Sequence, residues 1–183
     1  MPFVLLPGTG RIGSYKNPEL VARALEHPDL ADVSLLITGG EALQYGEALS
    51  SSFPHMRGRW RAQSCSDAEL NELYRRALAV VMPSRIEGFG LPVVEALAVG
   101  GRVIVADSRG LREAGGGAAL RCDADAPEQL AALLLLLLES TPNDELLTCL
   151  DQRRRRRVES LASGALAIAL LAQARQLANR QSR

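Results

Sequence analysis

Short apolar runs alternate with helix-period stretches along most of this chain. Phe3–Pro7, Val33–Thr38, Ala79–Met82 and Arg102–Ala106 are strand-length, and Gly, Pro, Asp or Ser follows each, the punctuation that closes a strand. Gly58–Gln63 and Ala118–Cys122 are weaker strand candidates. Pro18–Leu25, Asp67–Leu78 and Pro92–Val99 carry helical spacing between them. The second opens with a capping box, Ser66-Asp67-Ala68-Glu69, and then aligns Leu70, Leu73, Tyr74, Ala77 and Leu78 on one face. Strands alternating with helices predict an α/β fold, a Rossmann-like parallel sheet flanked by helices. Such sheets bind ligands outside the carboxyl ends of their strands, where the strand order reverses. The loops that follow strands are therefore the places to look for chemistry.

From Ala126 onward the pattern is purely helical. Pro127-Glu128 opens a helix through the leucine tract, and Pro142 to Gln181 holds one or two more. The run Leu130–Leu138 is about half of the ~20 residues that span a bilayer, which predicts a buried helix. Residues 1–183 thus form one domain, with a sheet-forming part (1–125) and a C-terminal helical part (126–183).

Composition narrows the function classes. The 21 basic and 21 acidic residues cancel, so the chain lacks the basic footprint typical of nucleic-acid binding. Cys65, Cys122 and Cys149 lie far apart, outside any CxxC or Cys/His cluster, which predicts free thiols and no metal site. The N-terminus is apolar without a basic leader and is interrupted at Pro7-Gly8, unlike a secretory signal. A cytoplasmic location is the expectation. The five arginines Arg153–Arg157 would spread around a helix and read as a solvated face, with a weaker case for contact with a membrane surface.

Two segments carry candidate chemistry. Gly8-Thr9-Gly10-Arg11-Ile12-Gly13 is a literal GxGxxG after a strand, which alone would suggest an NAD-dependent oxidoreductase. Two features oppose that reading. The next helix is predicted to start later, with Asn17 as N-cap and Pro18 as the first helical residue, and the second strand ends Thr38-Gly39-Gly40 without a ribose-binding acid. What remains is a glycine-rich loop with Arg11 and Lys16 leading into a helix N-terminus, a setting that suits an anion.

The second segment, Met82 to Ala96, is more specific. Gly88 and Gly90 let backbone pass close to a ligand, and Pro92 fits a first helical turn. Amides of Phe89, Gly90 and Leu91 are predicted to face outward there, with Glu87 before the turn and Glu95 in the helix's first turn. Carboxylates on both sides of an amide-lined turn suit a diphosphate ligand with hydroxyls at each end.

Pro83 to Ala96 resembles the E-x7-E signature of retaining GT-B glycosyltransferases, family 4 (group 1), whose pattern reads PS-x-x-EGFGLP-x-x-EA. Gly8 through Lys16-Asn17, Leu35–Gly40, Ser66 through Ala77, and Asp107 to Glu113 resemble further stretches in the family's order. Gly101-Arg102, where the family usually has a small residue and Pro, and Gln63, often Gly, are departures. The resemblance implies a donor site for a nucleotide-diphospho-sugar: Glu87, Lys16 and Arg11 as catalytic groups, with Gly10, Gly39, Cys65, Gly88, Phe89, Gly90, Leu91 and Glu95 binding the donor. Glu87 would meet the sugar, Glu95 the ribose, Arg11 and Lys16 the diphosphate, and backbone from Gln63 to Cys65 the base. It implies no metal and no cofactor beyond the donor. It further implies an acceptor domain, separate or N-terminal, without which this half would transfer little sugar. A nucleotide-binding regulatory module docking on a separate acceptor-domain protein is the alternative from another class.

Overall fold

A computed structural model describes residues 1–8, 11–141 and 143–181, with residues 165–181 as backbone only. Six parallel strands form one sheet in the order β3-β2-β1-β4-β5-β6: β1 (Phe3–Pro7), β2 (Ser34–Thr38), β3 (Trp60–Gln63), β4 (Ala79–Met82), β5 (Val103–Ala106) and β6 (Leu120–Cys122). Side chains alternate between faces, as the pleat requires. Val4, Leu6, Leu35, Ile37, Ala79, Val81 and Ile104 enter one apolar cluster; Leu5, Leu36, Val80, Met82, Val103 and Val105 enter the other. The expected doubly covered Rossmann-like sheet is what forms.

The helices divide between those faces. α1 (Glu19–Ala24), α2 (Ala42–Ser52) and α6 (Pro127–Glu139) cover the first cluster through residues such as Leu20, Leu49 and Leu130. α3 (Asp67–Arg76), α4 (Leu91–Ala98) and α5 (Arg109–Gly115) cover the second through Tyr74, Val93, Leu97 and Leu111. α3 carries the predicted capping box: Glu69 N–H donates to Ser66 Oγ, and Ser66 N–H donates to Glu69 at 2.8 Å. That bonding holds the Glu69 carboxyl below the usual range.

Several expectations need correction. Asn17 is not the N-cap of α1. Pro18 takes that place, while Asn17 sits at φ 50° and sends its side chain elsewhere. α4 begins at Leu91 after Gly90, so Glu95 lies in its second turn rather than its first. α2 and α5 were not among the predicted helices. Pro142–Gln181 yields one helix, α7 (Glu145–Gln181). The leucine tract is buried on one face only, at Leu130, Ala131, Leu134 and Leu137, while Leu136 and Leu138 are exposed. Among the described residues no helix is long and apolar enough to cross a membrane.

The arginine run is not simply a solvated face. Arg154 donates to the Leu97 carbonyl at 3.2 Å and Arg157 Nε to the Ala114 carbonyl at 3.1 Å. A second Arg157 nitrogen donates to the Glu113 carbonyl. These carbonyls lie in the last turns of α4 and α5, at the negative end of each helix dipole, and that of Leu97 also accepts from Gly100 N–H at 3.2 Å. α7 thereby ties two helices together at their carboxyl ends.

Candidate functional site

The sheet order reverses between β1 and β4, which lie side by side. Their following loops are the two segments singled out in the sequence, and they meet over the strand ends. Arg85 N–H donates to the Tyr15 carbonyl at 2.8 Å. Asn17 Nδ2 donates to the Pro83 carbonyl at 3.2 Å and to the Ala124 carbonyl at 2.8 Å. Asn17 is buried, and a buried amide with two backbone acceptors is a structural clamp. Arg85 pairs with Asp125 at 2.6 Å and holds that carboxyl below its ordinary range through the hydrogen bond. The loops after β1, β4 and β6 are therefore pinned to one another.

Within this junction Lys16 Nζ lies 2.8 Å from Glu87 Oε2, both half-buried. Lys16 also stands 5.3 Å from the centroid of the Tyr15 ring. A cavity of 90 Å³ opens beside Lys16 and is walled by Pro7, Gly8, Pro18, Met82, Pro83 and Ser84. Arg11 stays outside this contact, on the exposed outer part of the loop. Gly10 lies outside the described residues.

The turn after Glu87 depends on two glycines. Gly90 takes φ 83°, and a Cβ there would stand 2.8 Å from Leu111 of α5. Gly110 at the start of α5 packs under the turn; a Cβ on it would lie 2.6 Å from the Gly88 carbonyl oxygen and closer still to that of Glu87. Phe89 packs part of its ring on the core, whereas Leu91 is 64% exposed. Leu91 N–H opens α4 without an intrahelical acceptor, Pro92 carries no N–H, and Val93 N–H donates to the Gly90 carbonyl at 3.0 Å, so the donors this turn can offer an anion are the amides up to Leu91.

Glu95 faces a different neighbour. Tyr74 Oη donates to Glu95 Oε2 at 3.0 Å, so α3 and α4 are bridged behind the turn. Gly39, at φ 122°, ends β2, and its carbonyl accepts from Ala42 N–H as α2 begins. Cys65 follows β3 and is half-buried; burial pushes its thiol up, with the Glu69 and Asp67 charges adding to the shift. Lys16, Glu87, Gly88 and Gly90 thus form one junction, and Glu95 a second wall with Tyr74. Arg85, Asp125, Tyr74 and Gly110 were not anticipated. Arg85 and Asp125 are 40 residues apart, with no sequence periodicity to link them.

The GxGxxG segment is not a dinucleotide fingerprint in this fold. A Cβ on Gly8 or Gly13 would meet nothing within 4 Å, whereas the fingerprint's last glycine exists to let helix and strand pack closely. Both have positive φ, which is reason enough for glycine.

With this geometry in view, the comparisons decide the family. The model for glycosyl transferases group 1 matches residues 5–157. The chain belongs to that family. It is 34% identical over 134 residues to D-inositol 3-phosphate glycosyltransferase 1 of Catenulispora acidiphila, covering 61% of this chain and 29% of that protein. In structure it resembles a glycosyltransferase from Rickettsia africae (TM-score 0.70, 16% identity, 92% of this chain and 47% of that one). It also resembles the catalytic domain of cholesterol-alpha-glucosyltransferase from Helicobacter pylori (TM-score 0.63, 17% identity, 89% and 99%). The chain spans under a third of the length of the curated relatives it matches.

Proposed function

We propose that this chain is the donor-binding domain of a retaining glycosyltransferase. It takes a nucleotide-diphospho-sugar and hands a hexose-type sugar to a saccharide or lipid acceptor held by a second domain. The observation that carries this reading is the Lys16–Glu87 contact at the reversal of strand order. It sets a cation for the leaving diphosphate beside a carboxylate for the sugar, next to the amide-lined turn before α4. Arg11 reaches the same diphosphate from its exposed loop. Glu95 accepts from the ribose hydroxyls, and backbone from Gln63 to Cys65 lines the base, with Gly39 leaving room between them.

The chemistry asked of this half is charge stabilisation and positioning. As the bond to the sugar breaks, negative charge grows on the diphosphate, where Lys16, Arg11 and the helix N-terminus stabilise it. The leaving diphosphate takes the acceptor proton on the same face, which retains the anomeric configuration. The acceptor site comes from the other domain, so this chain alone binds donor and transfers little.

Calorimetric titration with uridine, guanosine and adenosine diphosphates tests the reading. Wild type binds at least one, and Glu95→Ala weakens it about tenfold or more, through loss of charge-assisted bonds to the ribose. Binding of NAD with no response to any of the three diphosphates would sink it.

A further inference from the structure

Glu95 is an exposed residue whose carboxylate is nonetheless held on one side. Its Oε2 accepts from Tyr74 Oη at 3.0 Å, and Tyr74 as a whole is only 1% exposed. The phenol therefore rises from the core of one helix layer to grip a carboxylate at the rim. Nothing about packing demands that hydroxyl, since Phe would fill the same apolar space. Burial and the adjacent Glu95 charge push the phenol upward, so it stays protonated and can act only as donor here. The backbones that carry the pair are equally constrained. Gly101 passes between them, and a Cβ on it would stand 2.9 Å from the Tyr74 and Ala96 carbonyl oxygens.

A carboxylate that must accept from two vicinal hydroxyls loses affinity if it rotates freely, because binding then has to freeze it. We propose that Tyr74 is the positioning residue for Glu95, fixing one carboxylate oxygen so that the other meets the ribose diol, and thereby sets the preference for ribonucleotides. This rests on the donor-binding reading above. Tyr74 touches Glu95 and acts on the ligand only through it.

The test uses the intact chain, whichever of the three nucleoside diphosphates binds it best, and that nucleotide's 2′,3′-dideoxy counterpart. Tyr74→Phe weakens the ribonucleotide about three- to tenfold, the value of one hydrogen bond, and leaves the dideoxy form within about twofold of wild type. In a Glu95→Ala background, which has no acceptor for Tyr74 Oη, the same change shifts neither. Thermal unfolding confirms that each variant is folded. Equal losses for both nucleotides, or undiminished discrimination in Tyr74→Phe, overturn the proposal. If Glu95→Ala narrows the discrimination and Tyr74→Phe does not, the role of Tyr74 falls and the donor-site reading stands. If wild type binds none of the diphosphates, or binds without regard to the ribose hydroxyls, the fault lies in the reading of the site and the inference falls with it.

Discussion

Lys16 Nζ and Glu87 Oε2 stand 2.8 Å apart across 71 residues of sequence. A half-exposed pair of this kind contributes about 0–1 kcal/mol to folding, so its interest is chemical. Each group is the other's partner while the donor is away. Glu87→Gln should therefore leave nucleoside-diphosphate affinity no weaker than in wild type, because Lys16 is released to the phosphates. The preference for the nucleotide sugar over the bare diphosphate should disappear. Lys16→Ala should weaken both about tenfold or more, as expected for loss of a charge-assisted contact. Calorimetry on the two variants separates these outcomes, and diphosphate binding untouched in Lys16→Ala would remove Lys16 from the site.

Gly110 makes a sharper structural prediction. A methyl group there is driven into the carbonyls of Glu87 and Gly88, which are backbone and cannot swing aside. Gly110→Ala should cost about 1–3 kcal/mol in unfolding free energy, the usual range for overpacking. It should also weaken donor binding, because relief requires the turn to move. Chemical denaturation and the same titrations measure both effects, and an unaltered stability would show that α5 yields instead.

Much of this arrangement was legible in the residues. Phe3–Pro7 and Ala79–Met82 read as strands because continuous apolar runs between breakers describe buried parallel strands well, and both occur as predicted. α2 was not legible because Ala42–Ser52 buries only Ala42, Tyr45, Gly46 and Leu49. Such a sequence carries a weak apolar stripe, and Gly46 is buried for a reason only tertiary structure supplies, the Trp60 ring lying against it. Asn17 shows the same limit. Its type and place before Pro18 suggested a cap, yet its Nδ2 donates to two distant carbonyls and its Oδ1 faces Arg85 at 3.5 Å instead of the helix amides. The Glu87 signature was visible because one turn holds it all. Lys16 was named from its own loop, but Tyr74 and Gly110 were not, because they arrive from other helices.

The arginine run offers a test of the tie between helices. Arg157 caps the carboxyl end of α5 through Ala114 and Glu113. Arg157→Ala should lower the unfolding free energy by about 1 kcal/mol, the scale of helix-end charge interactions at a partly exposed site. Exposed Arg156 should be neutral to within about 0.5 kcal/mol when changed to alanine. Denaturant titrations of the two variants side by side check this, and equal effects would return the run to a plain solvated face.

The three thiols separate by burial. Cys122 is 2% exposed, and burial, followed by the Asp123 and Asp107 charges, pushes its thiol up to about 11. An unfolded cysteine titrates at about 8.5. The folded state therefore holds the extra proton between those values. Its contribution to stability is complete below the unfolded value and is lost as pH rises through the folded one. Stability should fall between about pH 8.5 and 11 in wild type, and fall less in Cys122→Ala, whose fall comes from other groups alone. At pH 8 a maleimide should label Cys65 and Cys149, both half-buried, and reach Cys122 only on unfolding. If the backbone at Cys65 lines the base, saturating nucleoside diphosphate should slow labelling of Cys65 while Cys149, on α7, reacts as before. Mass spectrometry of the labelled peptides gives the comparison. Protection of neither or of both would place the base elsewhere.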